Sequence, residues 1–163
     1  MSPTATTWND YSAPLRALFD EYARAIRDLE SVVHSITPEK YTASNPLSDS
    51  DYPDLKTIMR HVVGAAHVYV DYIDDGLTER ESGRREHAMR LDSPADAMGS
   101  VWEAFDRMVE RMRPVKEYTE EQMEKVHMVT RWHERFNIEQ MMEHAIVHIL
   151  RHRRQIERWL ASW

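Results

Sequence analysis

The residues best suited to chemistry lie near the C-terminus, where His144, His148 and His152 follow an i, i+4, i+8 spacing. Four residues of α-helix advance about 40° in phase, so the three imidazoles share one helix face. On a helical wheel Met141, Ala145, Gln155, Ile156 and Trp159 fall within about 80° of His148, which puts the series on the buried stripe. Three imidazoles where helix packing wants Leu or Ile carry a desolvation cost unless their ring nitrogens are satisfied. A divalent ion would satisfy them, because His at i and i+4 project about 6 Å apart from the same side and can chelate one metal. A buried His is more often a hydrogen-bonded core residue, and HxxxH on a helix is only moderately specific. Both readings stay open on spacing alone.

A third ligand should come from a neighbouring helix, and the segment 55–73 offers His61 and His67, about 240° apart in phase. His61 sits among Ile58, Ala65, Val68, Tyr69 and Tyr72 and is expected to face packing. His67 shares its side with Arg60, Gly64, Asp71 and Asp74 and is expected at the solvent edge. The site read from the residues is therefore His61, His148 and His152. His144 is expected to support it or to line the cavity, and Gln155, one turn beyond His152, could orient a ligand or contact substrate. Tyr69 and Trp132 are further candidates for the pocket, with core packing as the alternative for Trp132. His34, His87, His127 and His133 are expected to be exposed or in loops.

These side chains must be positioned by helices. Only 4 Gly occur, no alternating run is long enough for a strand, and helical spacing recurs four times. Leu15, Leu18, Phe19, Tyr22, Ile26, Leu29 and Val33 make a first amphipathic helix, ended before Pro38. Pro and Ser mark Thr37 to Ser50 as a loop. Pro53 suits the start of a second helix that stops near Gly76. Residues 77–92 are charged, without an apolar run, and read as an exposed connection. Ser93-Pro94 followed by Asp96 starts a third helix that Pro114 ends. From Val115 to Phe136 the pattern is irregular, with a possible turn of helix at Glu120 to Val126. Asn137 caps a last helix running nearly to the C-terminus. Four amphipathic helices must bury their stripes against one another, and an all-α four-helix bundle is the usual solution.

Composition narrows the function. The chain has 163 residues, 42% of them apolar, which suits one domain over residues 1–163. With 9 His and no Cys, disulfides, thiolate metal sites and a Cys nucleophile are excluded. A net charge of -7 argues against a nucleic-acid binder, which needs a basic footprint to displace counterions. No apolar run approaches the roughly 18 residues of a membrane span, and Met1 to Pro14 lacks the charged and apolar regions of a signal peptide. The expectation is a cytoplasmic protein without membrane or nucleic-acid partners. A ferritin-like di-iron site needs two Glu-x-x-His pairs, and only Glu124 with His127 provides one. His133-Glu134 lacks the second His of HExxH. Glu103, Asp106 and Glu143 lie on helices as possible general bases, though each suits a solvated position better.

The run Glu143-His144-Ala145-Ile146-Val147-His148-Ile149-Leu150-Arg151-His152-Arg153-Arg154-Gln155 resembles the terminal helix of the DinB/YfiT-like metal-dependent enzymes, whose recurring form is HxxxHRxQ. Ile58-Met59-Arg60-His61-Val62-Val63-Gly64-Ala65-Ala66 is similar to that family's second helix, which carries one ligand His. Arg154 stands where a Gly is common before the Gln, a departure that touches no ligand. The resemblance implies an up-down-down-up bundle, a divalent metal on His61, His148 and His152, and often a homodimer.

Three neutral imidazoles would leave an ion its full charge and an open position, as in catalytic rather than structural sites. Zn, Ni and Fe(II) all suit imidazole. Such an ion can make bound water acidic near neutral pH, or bind and activate a thiolate. The resemblance implies metal-assisted hydrolysis or transfer of a low-molecular-weight thiol to an electrophile. With no Cys in the chain, that thiol would be a cosubstrate acting with a small-molecule substrate. The alternatives are a metal-binding module without turnover and a metal-free interaction bundle.

Overall fold

The computed structural model describes residues 7–46, 52–81 and 85–163. In chain order its elements are α1 (Ala13–Val33), α2 (Pro38–Thr42), α3 (Leu55–Leu77), α4 (Pro94–Met112), a 3-10 turn at Arg113–Val115, α5 (Glu120–Lys125), strands β1 (His127–Val129) and β2 (Arg135–Asn137), and α6 (Ile138–Ala161). The described chain is mostly helical. α1 packs on α4 and α6, and α3 packs on the same two helices, so each long helix buries its apolar stripe against two others. No helix among the described residues is long and apolar enough to cross a membrane.

Side-chain caps define where these helices begin. The Asp54 carboxylate accepts from Thr57 N, and the Ser93 hydroxyl accepts from Asp96 N with Pro94 in the first helical position. Thr119 with Gln122, and Asn137 with Gln140, form reciprocal capping boxes at the starts of α5 and α6. Inside, the Phe105 ring lies edge-on to Trp8, Phe19, Tyr22 and Trp102, with centroids 5.2 to 6.1 Å apart. This aromatic cluster packs α1 against α4.

Three stretches differ from their reading in the sequence. The Thr37–Ser50 loop contains one helical turn, α2, capped by Thr37; residues 47–50 lie outside the described residues, as do residues 1–6 of the N-terminal stretch. The irregular stretch before α6 holds a short antiparallel hairpin in which Met128 pairs with Phe136. α3 ends at Leu77, one residue past Gly76. The role of that glycine is close approach, since a Cβ there would meet the His127 carbonyl oxygen at 3.0 Å where β1 lies on the helix.

The third difference is the charged side of α3. His67, Asp71, Asp74 and Asp75 are buried rather than at the solvent edge, because arginines from distant segments cover them. Arg107 of α4 donates to Asp71 Oδ1 at 2.6 Å and His87 Nε2 bonds Asp71 Oδ2 at 2.7 Å. Arg85 pairs with Asp75, and Arg80 with Asp74 at 2.8 Å. The 77–92 connection is therefore anchored at Arg85 and His87, although 82–84 lie outside the described residues. His87, expected in an exposed loop, is half-buried and stacks on His67, with ring centroids 4.6 Å apart. Burial alone would raise the Asp71 carboxyl, but hydrogen bonds from His87 and Arg107 together hold it below its usual range.

Among the described residues neither ring nitrogen of His67 has a hydrogen-bond partner. Burial first, and then the neighbouring His87 and Arg107, push its imidazole down to about 4, against the pull of Asp71. In the unfolded chain a His titrates near about 6.5. Above that pH the group is neutral in both states. As pH falls from about 6.5 toward 4 the unfolded chain takes up a proton that the native state does not, and stability declines. Replacing His67 with Met removes an unpartnered buried polar group at similar volume, so His67→Met should change stability at pH 7.5 by less than about 1 kcal/mol. It should also flatten the acid limb, which urea melts between pH 7.5 and 4 would measure. A loss above about 2 kcal/mol at pH 7.5 would mean that His67 makes a hydrogen bond.

Candidate metal centre

His148 and His152 stand one turn apart on α6, and His61 faces them from α3. One ligand atom from each lies within 4.8 Å of the others, and the Nε2 atoms of His61 and His148 are 2.9 Å apart. Ring centroids are 4.9 Å apart for His61 and His148, 4.8 Å for His61 and His152, and 4.5 Å for His148 and His152. Exposure is graded: His152 is buried, His148 half-buried, and His61 exposed. His61 was expected to face packing. It faces the other two histidines, as expected of the third ligand, but is exposed at the rim of a cleft rather than buried in packing.

Burial sets the protonation state of the group. It pushes His148 down to about 3, helped by the adjacent His152, His61 and His144 and by the Arg151 charge. His152 is pushed down to about 4, again chiefly by burial, although its hydrogen bond to Gln155 acts in the opposite sense. His61 is lowered by burial and then by Arg151. All three are neutral near pH 7, the form that donates a lone pair to a metal. His152 Nδ1 lies 2.9 Å from Gln155 Oε1, which accepts the ring N–H and leaves Nε2 as the lone-pair donor. The donor set therefore fits a divalent ion of the kind that imidazole prefers.

Aromatic rings surround the group. Tyr52 stands edge-on to His152 at 6.0 Å, and Tyr69 edge-on to His148 at 5.6 Å. Burial raises the Tyr69 hydroxyl, so it stays protonated. His144 does not join the three. It packs among Tyr69, Trp132 and Phe136.

His61 and His148 open onto a cleft of about 580 Å³ that also holds Tyr69, Tyr72, Arg131 and Trp132. A larger groove of about 1270 Å³ runs under the hairpin past Gly76 and Tyr118 and contains none of the three histidines. The smaller cleft owes its outer wall to the hairpin turn. Thr130 N donates to Glu134 O at 2.9 Å, and His133 takes a positive φ of 66° between them. The Arg131 backbone N–H donates to the Tyr72 hydroxyl at 2.9 Å, docking the turn on α3. Trp132 lies edge-on to Tyr72 and remains 47% exposed, so it lines the cleft rather than the core. Arg131 was not foreseen as a cleft residue. The neighbouring Trp132-His133 pair in an irregular stretch was the only local sign. Of the acidic candidates, Glu103 and Glu143 are exposed, Glu103 pairing with Arg90, and none lines the cleft.

A family model described as the DinB family matches residues 1–162. No curated protein matches the chain.

If the three histidines hold an ion, purified protein should contain about one metal per chain, and His148→Ala should bring that near zero by elemental analysis. Gln155→Leu keeps the ligands but removes the acceptor for the His152 N–H, so metal affinity should fall about 10- to 100-fold in a chelator competition, with helicity unchanged. Equal metal content in wild type and His148→Ala would place the ion elsewhere.

Proposed function

The chain belongs to the DinB family, and on that premise we propose that it is a metal-dependent enzyme of the thiol S-transferase or hydrolase type acting on a small molecule. In this reading α1, α3, α4 and α6 form an up-down-down-up four-helix bundle, with one divalent ion on His61, His148 and His152. The observation that carries it is the opening of the group, through His61 and His148 and not through His152, into an aromatic-lined cleft. A closed structural site would have no such side.

When bound, a divalent ion supplies Lewis acidity and lowers the pKa of a coordinated water or thiol. The protein's own residues do the rest. His152 and Gln155 form the fixed, buried end of the site, and His61 completes it at the rim. Tyr69, neutral and beside His148, offers a hydroxyl that can donate a hydrogen bond to a group seated there. Tyr69, Tyr72 and Trp132 present ring surface to an apolar substrate body and limit water in the cleft. Because the chain has no Cys, a reacting sulfur must arrive with the cosubstrate.

The test compares metal-stripped protein with protein reconstituted with Zn, Ni or Fe(II). Each is assayed for conjugation of cysteine, as a simple low-molecular-weight thiol, to monobromobimane, and for hydrolysis of 4-nitrophenyl acetate. Metal should raise one of these rates at least about 100-fold, and His148→Ala should abolish the gain. Equal rates with and without bound metal would favour a non-catalytic metal-binding module.

A further inference from the structure

We propose that Arg131 is an anion-recognition residue of the cleft, so that the substrate joins an oxyanion, carboxylate or phosphate, to an apolar body. The proposal rests on the reading of the histidine-lined cleft as the substrate site.

Arg131 differs from most arginines near α3. Arg80, Arg85, Arg107 and Arg111 spend their charge on Asp71, Asp74 and Asp75. Among the described residues Arg131 has no carboxylate within 4.0 Å, yet it is held in place. Its backbone N–H and its Nε both donate to the hydroxyl of Tyr72, at 2.9 and 3.3 Å, and Tyr72 is only 3% exposed. Fixing Nε on a buried anchor leaves the two Nη groups as an end-on fork. That fork matches two oxygens of a carboxylate or phosphate. Among the described residues Arg16, Arg27, Arg135, Arg151, Arg154 and Arg158 also have no carboxylate within 4.0 Å, but none of them lines this cleft.

The surroundings support the same chemistry. Arg60, next in sequence to His61, lines the cleft and is also without an ion pair among the described residues. Of the lining carboxylates, Asp71 is occupied by Arg85, Arg107 and His87, and Glu86 is exposed. Among the described residues the cleft therefore keeps two unpaired arginines, Arg60 and Arg131, against one unpaired carboxylate, Glu86, in a chain of net charge -7, a local excess of positive charge that would favour anions. Val68, Ala65 and Met89, with the exposed face of Trp132, supply apolar wall in the same cleft. A ligand meeting all of these has a charged oxygen group at the Arg131 end, an apolar or aromatic middle, and its reacting atom toward His61 and His148.

Calorimetric titration of full-length, zinc-loaded protein with benzoate, phenyl phosphate and uncharged benzamide tests this. Benzoate or phenyl phosphate, whichever oxygen geometry the fork prefers, should bind at least about tenfold more tightly than benzamide. Arg131→Ala should remove that preference while metal content stays at the wild-type level. Arg131→Lys keeps the charge and loses the fork, and Tyr72→Phe keeps the fork and loses its anchor; each should retain only part of the preference. Because an anion can also meet the metal directly, the titrations are repeated on metal-free His148→Ala protein, where the Arg131-dependent preference should persist. Full metal loading with no Arg131-dependent difference between the anions and benzamide overturns this inference and leaves the metal reading standing. Absence of metal with the Arg131-dependent preference intact does the reverse.

Discussion

Three imidazoles crowded together on the inner faces of two helices set the terms for the rest of this molecule. Each ring is held neutral by burial, and each lies against its neighbours closely enough that protonating one penalises the others. Such a cluster is tolerable only if its nitrogens are satisfied from within. Gln155 satisfies one on His152, and the 2.9 Å approach of His61 to His148 satisfies another pair. An ion would satisfy the group as a whole. The α6 face therefore has two demands on it, apolar packing through Met141, Ala145, Ile149 and Ile156, and polar closure through its histidines. Only a partner helix carrying a His at the matching height meets both, and α3 does so.

α3 is accordingly the most heavily used helix. One side presents His61, Tyr69 and Tyr72 to the site, its core side packs Ile58, Val62 and Val70, and a third side buries Asp71, Asp74 and Asp75 under arginines from α4 and the 77–92 connection. Removing one member of such a buried ionic set leaves the others uncompensated, which makes the set a rigid frame. The frame matters to the site because the same connection that delivers Arg85 and His87 also supplies Met89 to the cleft. The ionic set and the cleft share Asp71, Arg85 and His87, so the stability of the one shapes the other.

Much of this was legible in the residues. The helix starts at Ser93-Pro94 and Asn137 follow from local chemistry, since caps act within one turn. The placing of His148 and His152 together follows from helical periodicity alone. Legibility failed where contacts come from far along the chain. His67 and its aspartates look like a solvent face by composition, and residues outside α3, among them Arg80, Arg85, Arg107 and His87, cover them. His61 was legible as a ligand candidate, but not its exposure at a cleft, whose walls come from the hairpin and the 77–92 connection. The hairpin itself has strands of three residues each, too short for a period-two pattern to register. Arg131 and Tyr72 are 59 residues apart, a pairing no local pattern contains.

The same long-range character has a thermodynamic side. His61 and His148 are separated by 87 residues, and an ion shared between them would close a chain loop of that length through two coordinate bonds. A cross-link over so long a loop removes conformational freedom chiefly from the unfolded chain, by a margin that grows slowly with loop length. In a protein with no Cys, metal coordination would supply a cross-link that a disulfide cannot. Because His152 is buried and His61 is exposed, the rim ligand is the natural one to release first. The α3 end of the cross-link could then open without disturbing the pair on α6, which would couple metal exchange to the parting of two helices rather than to unfolding of the whole.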